Sequence, residues 1–391
     1  MKEGWEYKKL GEVCNVIGGG TPDTKNKEYW RGNIPWATVS DMNCDVIKTT
    51  GYYITDRGLN ESSSRIIKKG EIVIATRVGL GKVCKLAVDT AINQDLKGVI
   101  PKDNNIVRDF IFYYFKHKAK YIVDNGIGAT VKGVKIKFIE GLSFGFPSLS
   151  EQQSIVDYLD SAFAKIDAMK ANAEKALNEA KALFQVSLKE MLEPKEGWEE
   201  KKLSEVVNIL NGYAFPSKAF GDNQELKVVK ITNVGVGSFI EDISTLPQKM
   251  FIQDVCLKEG DIVIALTRTL ISEGLKRAII PSSYDGAMLN QRVASLRFSG
   301  KINMSFLYYY LGCSIVSDYV WLHVNTLMQP NLSIKDLKSM PVCIPSLPEQ
   351  QSIVETLDSL KSKVDRLQAN YDKISQECDA LKQAILRQVF E

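Results

Sequence analysis

The chain contains the same order of segments twice, and this internal repeat limits its possible folds more than any other feature. Residues 3–13 (EGWEYKKLGEV) return as residues 196–206 (EGWEEKKLSEV), and residues 147–156 (PSLSEQQSIV) return as residues 345–354 (PSLPEQQSIV). The copies are 193 residues apart at the first pair and 198 at the second, a period too long for a solenoid. The repeat therefore predicts two similar domains and two linkers in a pseudo-two-fold arrangement.

Composition indicates an ordinary globular protein. Of 391 residues, 45% are apolar and 25% charged, which suits two or three domains with their own cores. Apolar runs stay well short of the roughly 18 residues that span a membrane, so we expect no membrane association. Seven widely spaced cysteines without a Cys-x-x-Cys pair indicate neither disulfides nor a zinc site. We therefore expect a cytoplasmic, metal-free chain.

Positive charge is concentrated in the first globular segment. Residues 1–150 carry 23 Lys or Arg and 16 Asp or Glu, whereas residues 151–193 carry 5 and 8. Residues 194–345 carry 16 and 15, and residues 346–391 carry 6 and 8. This distribution fits a polyanionic partner held mainly by the first domain.

Two linkers have the apolar spacing of long paired helices. Steps of four and three residues give a 3.5-residue period, and both stretches open with a Ser-Leu-x-Glu capping box, at Ser148 and Ser346. One such helix packed on a globular core is the alternative, but two copies favour mutual pairing. Because the first helix leads into the second domain and the second starts after it, we predict an antiparallel coiled coil. Its predicted seam comprises Ile155, Leu159, Ile166, Met169, Leu183, Ile353, Leu357, Leu360, Val364, Leu367, Ile374, Leu381 and Ile385.

The globular segments read as α+β domains of similar design. A buried strand follows a glycine turn at residues 70–75 and again at residues 260–265, and each is followed shortly by Thr-Arg. An aromatic run at residues 110–115, matched at residues 306–311, predicts a short helix on the sheet. We predict domains at residues 1–147 and 194–344, and spacer helices at residues 148–193 and 345–391.

Exposed-loop candidates for contact with nucleic acid occur in both halves. The Gly-rich loop of residues 18–36 mixes basic and aromatic side chains, which suits phosphates and bases; its tryptophans can instead pack on the core. Asn-Gln pairs at residues 93–94 and 290–291 can read bases or cap a buried turn. The candidates are Lys25, Lys27, Arg31, Thr76, Arg77, Asn93, Gln94, Lys132, Lys218, Thr267, Arg268, Asn290, Gln291, Arg292, Gln329 and Asn331.

Catalytic patterns are missing from the sequence. The only histidines, His117 and His323, have no metal-ligand spacing, and residues 79–83 lack the residues of a P-loop. Glu-x-Lys at Glu6 and Glu199 resembles part of a nuclease site but has no partner aspartate signature. A role as a nuclease is therefore disfavoured.

In order and in duplicate, these segments resemble the specificity subunits of type I restriction–modification systems. The resemblance rests on the Gly-Trp-Glu-x-Lys-Lys-Leu opening, the Gly-Gly-Gly-Thr-Pro…Tyr-Trp…Ile-Pro-Trp loop, the Ile-Val-Ile-Ala strand and the Pro-Ser-Leu-x-Glu-Gln-Gln segments. It implies two target recognition domains, each reading one half of an interrupted double-stranded DNA site. The second domain's loop at residues 211–218 has fewer basic residues than its counterpart, so we expect the two half-sites to differ.

The resemblance also implies that the chain is not an enzyme. The helices would set the distance between half-sites and dock two modification (methyltransferase) subunits, which restriction subunits later join. S-adenosylmethionine, ATP and magnesium would then belong to those partners, with no cofactor in this chain. The alternative from another class is an adaptor whose two domains bind proteins rather than DNA.

Overall fold

The computed structural model describes residues 2–271, 274–324 and 331–391. It divides into two compact units, unit 1 (Met1–Glu174 with Tyr371–Glu391) and unit 2 (Lys175–Asn370). Each unit combines one globular segment with half of each long helix. The compact units therefore do not end at the globular boundaries expected from the sequence, because helical side chains such as Val156 and Leu386 in unit 1 belong to the globular core.

The elements of each unit follow the repeat. Unit 1 and the first long helix comprise β1 (Glu6–Lys9), α1 (Leu10–Val13), β2 (Cys14–Gly18), β3 (Trp30–Ala37), β4 (Val46–Ile47), β5 (Tyr52–Ile54), α2 (Asp56–Asn60), β6 (Arg65–Ile67), β7 (Ile72–Ala75), β8 (Val83–Leu86), β9 (Thr90–Ile92), β10 (Leu96–Pro101), α3 (Arg108–Asp124), α4 (Ile136–Glu140), β11 (Ser143–Phe146) and α5 (Leu149–Leu192). Unit 2 and the second long helix comprise β12 (Glu199–Lys202), α6 (Leu203–Val206), β13 (Asn208–Asn211), β14 (Leu226–Val229), β15 (Thr245–Leu246), β16 (Ile262–Ala265), β17 (Leu270–Ile271), β18 (Gly274–Leu275), β19 (Arg277–Ile279), β20 (Met288–Leu289), β21 (Val293–Arg297), α7 (Met304–Tyr310), α8 (Ser314–His323), α9 (Ile334–Ser339), β22 (Pro341–Ile344) and α10 (Leu347–Phe390).

Three sheets form unit 1, and unit 2 repeats their plan. In unit 1 the order of the main sheet is β2-β10-β7-β8-β4, that of the second sheet is β5-β3-β9-β6, and β1 pairs with β11. In unit 2 the corresponding main sheet is β13-β21-β16-β19, a second sheet is β15-β14-β20, and β12 pairs with β22. The predicted α+β class and the duplicated plan are confirmed.

The central strand explains why both faces of the main sheet are apolar. Ile72 and Ile74 of β7 pack towards α3, whereas Val73 and Ala75 pack towards the second sheet. In β16, Ile262 and Ile264 belong to one core cluster, whereas Val263 and Ala265 belong to another. Since alternate residues of a strand face opposite sides, a strand covered on both faces must be apolar throughout.

The two helices pair antiparallel within unit 1. Cys378 lies against the Ile166 carbonyl, Lys170 forms an ion pair with Asp379 at 3.8 Å, and Lys382 pairs with Asp167. Leu159 packs in one cluster with Leu386, whereas Ile166, further along α5, lies against Cys378, which comes earlier in α10; this defines an antiparallel pair. The predicted seam residues Leu159 and Ile166 are buried, and Ile155, Ile374 and Ile385 are partly buried.

The same direction holds in unit 2. Lys181 donates to Gln368 at 2.8 Å, while Leu188 packs in one cluster with Leu357 and Ile353. The predicted seam residues of α10 in this unit are buried or partly buried, namely Ile353, Leu357, Leu360, Val364 and Leu367. An antiparallel helix pair is therefore present in each unit.

The predicted seam was wrong at one set of positions. Met169 and Leu381 in unit 1 and Leu183 in unit 2 are exposed. Between residues 159 and 184 of α5 the buried or half-buried positions are Leu159, Ala162, Phe163, Ile166, Lys170, Ala173, Leu177, Ala180 and Phe184. Half of the predicted frame thus lies one residue too early, because steps of 4-3 and 3-4 both give a 3.5-residue period and alanine fits either frame.

A buried glutamine fastens each long helix to its globular segment. The side chain of Gln152 accepts from the Val107 amide at 2.9 Å and donates to the carbonyls of Pro147 at 2.9 Å and Asn105 at 3.0 Å. Gln350 repeats the arrangement, accepting from the Asn303 amide at 2.8 Å and donating to its own preceding loop. The two capping serines accept the predicted hydrogen bonds: the Glu151 amide donates to the Ser148 hydroxyl at 3.3 Å, and the Glu349 amide to the Ser346 hydroxyl at 3.4 Å.

We expect Gln152→Leu to lower the free energy of unfolding of unit 1 by about 3 kcal/mol, because a buried amide and two carbonyls lose their partners. Gln153→Leu is the matched control, since Gln153 is exposed and bonds only Asp157 on its own helix. Urea titration followed by tryptophan fluorescence measures both. Equal losses in the two variants would contradict the fastening role.

Candidate nucleic-acid interface

Four loops converge at one edge of unit 1, and backbone hydrogen bonds hold them together. The Thr76 amide donates to the Asp95 carbonyl at 2.9 Å, which joins the loop after β7 to the loop after β9. The Val134 amide donates to the Thr76 carbonyl at 2.8 Å and brings in residues 126–133. The Gly20 amide donates to the Ile92 carbonyl at 3.0 Å and brings in the Gly-rich loop. We call this the loop edge of unit 1: residues 19–27, 76–82, 93–95 and 126–133.

Unit 2 builds the same edge with the same bonds. The Leu266 amide donates to the Arg292 carbonyl at 2.8 Å, and the Leu332 amide to the Leu266 carbonyl at 2.9 Å. The Tyr213 amide donates to the Leu289 carbonyl at 2.9 Å. The loop edge of unit 2 accordingly comprises residues 211–218, 266–269, 290–292 and Asn331.

These bonds correct one residue equivalence. The sequence pairs Thr76-Arg77 with Thr267-Arg268, but Leu266 makes the backbone bonds that Thr76 makes in unit 1. Thr267 therefore stands where Arg77 stands, and Arg268 is one residue further along the loop. The extra residue adopts a positive φ of 50°, a conformation that non-glycine residues rarely adopt.

Two candidates for base contact in unit 1 are buried. Thr76 is 3% exposed and its hydroxyl donates to the Asp95 carbonyl at 3.2 Å. Asn93 is 6% exposed, and its side-chain oxygen accepts from the Asp95 amide at 3.1 Å. Both side chains are used inside the protein, so in this structure they shape the turn and do not project from it. Asn93 thus matches the alternative interpretation of its Asn-Gln pair, in which the residue caps a buried turn.

The other unit 1 candidates are exposed at or beside the edge. Arg77 has 57% of its side chain exposed and lies 3.9 Å from an oxygen of Asp95. Gln94 accepts a hydrogen bond from Thr21, which ties the Asn-Gln turn to the Gly-rich loop. The remaining exposed cationic candidates are Lys25, Lys27, Arg31 and Lys132.

Asp95 is a residue that the sequence reasoning missed. Its Oδ1 atom is buried without a hydrogen-bond partner among the described residues, yet lies beside the exposed Arg77 guanidinium. The nearby Lys97 ammonium donates to the carbonyls of Gln94 and Leu96, and burial lowers the pKa of Lys97 although Asp95 opposes this. The sequence held one sign of its importance: Asp95 follows the Asn-Gln pair in the first half, whereas Arg292, of opposite charge, follows it in the second.

Unit 2 presents a more cationic turn. Arg268, Gln291, Arg292 and the candidates Lys218 and Asn331 are exposed, while Thr267 and Asn290 are half-buried. Burial lowers the pKa of Lys276, and the like charge of Arg268 lowers that pKa further. Gln329 lies outside the described residues. An acidic residue in one turn and a basic residue in the other mean that the two edges offer different hydrogen-bonding groups.

The histidines and the Glu-x-Lys segments singled out in the sequence lie apart and form no metal cluster in the described ranges. No group of three or more His, Cys, Asp or Glu able to hold a metal ion occurs there. His117 stacks on Phe390 with ring centroids 5.5 Å apart, and burial lowers its pKa to about 4; His323 bonds the Tyr319 carbonyl at 2.8 Å. Glu6 and Glu199 each form an ion pair with the lysine two residues on. In the same ranges, no helix is long and apolar enough to cross a membrane.

Two α+β units that each present a loop edge of mixed cationic and amide side chains define a duplicated recognition protein. The family model described as the type I restriction modification DNA specificity domain matches residues 2–179 and again residues 195–376. The chain belongs to this family, and it carries the domain twice. The expectation that it is a specificity component and not an enzyme is thereby confirmed.

Curated relatives and solved structures agree. The type I restriction enzyme MjaIX specificity subunit of Methanocaldococcus jannaschii is 26% identical over 92% of this chain and 87% of its own length. The MjaVIII specificity subunit of the same organism is 28% identical over 93% and 88%. A chain solved in work on complex assembly and conformational transition of the type I R-M system has a TM-score of 0.79 at 19% identity, covering 100% of this chain and 98% of that one. The HsdS subunit of Thermoanaerobacter tengcongensis has a TM-score of 0.57 at 20% identity, covering 100% and 97%.

Proposed function

We propose that this chain is the DNA specificity subunit of a type I restriction–modification complex. Each unit would read one half of an interrupted double-stranded site through its loop edge. The observation that carries this proposal is the convergence of corresponding loops in the described parts of both units of a chain with two DNA specificity domains. Exposed arginine, lysine and glutamine side chains on those loops are the types that bond base edges and phosphates.

The two half-sites differ in this proposal. Asp95 brings a carboxylate, which accepts hydrogen bonds, beside the exposed Arg77 of unit 1. Arg292, in the same place of unit 2, can only donate, and Arg pairs preferentially with guanine. An asymmetric target follows from this difference in hydrogen-bonding groups.

The long helices serve as spacer and docking platform in this proposal. Apolar side chains remain exposed on them, with Tyr158, Met169 and Leu381 in unit 1 and Leu183 and Val186 in unit 2. Exposed apolar side chains on helices that are otherwise polar are suitable contacts for partner helices. We propose two modification subunits as those partners, joined by restriction subunits.

The chemistry would then belong to the partners. S-adenosylmethionine, ATP and magnesium would be bound by the modification and restriction subunits, and this chain would supply only position. Such a complex would act on DNA inside the cell, so we propose that the chain works in the cytoplasm.

Mapping methylated adenines in a host that carries the partner subunits, with and without this chain, tests the proposal. We expect methylation at one asymmetric, two-part sequence only when the chain is present. Identical maps would favour the protein-binding adaptor instead.

A further inference from the structure

An aromatic cleft of about 780 Å³ opens in unit 1 next to the loop edge. We define it by six of its lining residues: Thr21, Thr24, Trp30, Arg31, Trp36 and Tyr52. Thr21 also bonds Gln94, so the cleft and the loop edge share the Gly-rich loop.

Three rings build the wall of the cleft. Trp30 and Trp36 have centroids 5.1 Å apart at 89°, and the Tyr52 centroid lies 6.2 Å from each. Both indole N–H groups are already used, since Trp30 donates to the Asp23 carbonyl and Trp36 to the Gly20 carbonyl, each at 3.1 Å. These bonds fix the rings, and Tyr52 remains 58% exposed. Trp36 is only 6% exposed and supports the other two rings from behind, so the accessible ring faces are those of Tyr52 and, in part, Trp30. Fixed and accessible rings suit a flat apolar ligand.

A strained bulge places a cation at the cleft. The register of β3 against β5 shifts between Trp30 and Ile34, and Arg31 within the shift has a φ of 62°. The bulge is tightly packed, because a Cβ on Gly32 would lie 2.2 Å from the Ile54 carbonyl oxygen. Such strain concentrates at ligand sites, and bulges redirect side chains there.

The charges around the cleft favour an anionic ligand. Arg31 forms no ion pair with any acidic side chain in the described ranges, and Lys25 and Lys27 are exposed on the adjoining loop. A nucleotide combines a flat base with an anionic phosphate and so fits both features. Stacking platforms beside cationic grooves are how proteins hold single bases without regard to sequence.

We infer that the aromatic cleft holds one nucleobase unstacked from the DNA, with Arg31 on its phosphate. The inference rests on the proposed function, because it requires unit 1 to face DNA. Unit 2 offers Tyr213 and Phe215, with centroids 5.0 Å apart, and no tryptophan in the corresponding loop. The base is therefore held in the half-site read by unit 1.

Binding of a labelled thymidine hexanucleotide to the full chain at low salt tests this inference. The comparison is a hexanucleotide of the same phosphates with abasic central positions. We expect the base-containing strand to bind about tenfold more tightly, the effect of stacking one base. Tyr52→Ala should remove that preference, whereas Tyr121→Ala, an equally exposed tyrosine (51%) outside the cleft, should keep it.

Three controls separate the outcomes. Arg31→Gln should weaken the binding of both hexanucleotides equally. If Tyr52→Ala unfolds, Tyr52→Leu replaces it, because leucine keeps an apolar side chain but has no ring. Binding of duplex genomic fragments is measured with the same protein. If the unaltered chain binds duplex DNA but binds both hexanucleotides with equal affinity, the inference about the cleft is wrong and the proposed function stands. If the unaltered chain does not bind duplex DNA, the proposed function is wrong.

Discussion

Replacing Arg77 by alanine is expected to relax recognition in one half-site by about 10- to 100-fold while leaving the other half unchanged. Arg77 is exposed on the loop edge of unit 1, and its guanidinium lies 3.9 Å from a carboxylate oxygen of Asp95. A well-placed arginine contributes about 1–3 kcal/mol of discrimination against the wrong base. Binding or methylation of a library with substitutions in each half-site measures the change.

The matched variants are Arg268→Ala and Arg65→Ala. Arg268 lies on the loop edge of unit 2, so its loss should relax the other half-site. Arg65 is exposed on β6 and bonds only the Ser64 carbonyl, so its loss should change neither. If Arg77→Ala weakened binding equally for every sequence, Arg77 would contact a phosphate and would not read a base.

Removing one heptad from both long helices is expected to abolish recognition of the natural site and to create recognition of a site with a shorter spacer. Deleting residues 174–180 and 369–375 keeps the Lys170–Asp379 ion pair and the Lys181–Gln368 hydrogen bond. Seven residues at 1.5 Å shorten each helix by roughly 10 Å, or about three base pairs. The natural spacer should then lose at least 100-fold in affinity, because both units can no longer bind at once.

A heptad inserted at the same places should lengthen the accepted spacer by the same amount. Removing seven residues preserves the seam, because a coiled coil repeats every heptad. Methylome mapping or selection from a spacer library reports the accepted length. A spacer that stays constant in both variants would show that something other than helix length sets it.

The duplicated plan could be predicted from the sequence because its signals are local. The all-apolar strand before Thr76, the capping serines and the break after Leu192 each depend on a few neighbouring residues. The helix ends at Leu192, and Gly197 in the following turn has a φ of 90°, a conformation that glycine adopts readily. The sequence predicts the structure correctly where the conformation of a residue depends only on its neighbours in the chain.

The loop edge was harder to predict because exposure depends on distant partners. Thr76 and Asn93 are polar and follow strands, but the turn at Asp95 uses both side chains internally. The predicted seam was wrong at Met169 for a related reason. Phe163 and Leu177 occupy interior positions of a heptad frame shifted by one residue, and periodicity alone does not rank two such frames.

Unit 1 draws its core from both ends of the chain, and this has a consequence for synthesis. Unit 2 is continuous from Lys175 to Asn370, whereas the first unit needs Tyr371–Glu391 to be complete. At roughly 5–20 residues per second, ribosomes take on the order of 10–40 s to add the intervening stretch. During that time Val156 and Leu159 have no Leu386 to cover them. The half translated first is thus the half finished last, and it is the one most in need of protection from aggregation while nascent.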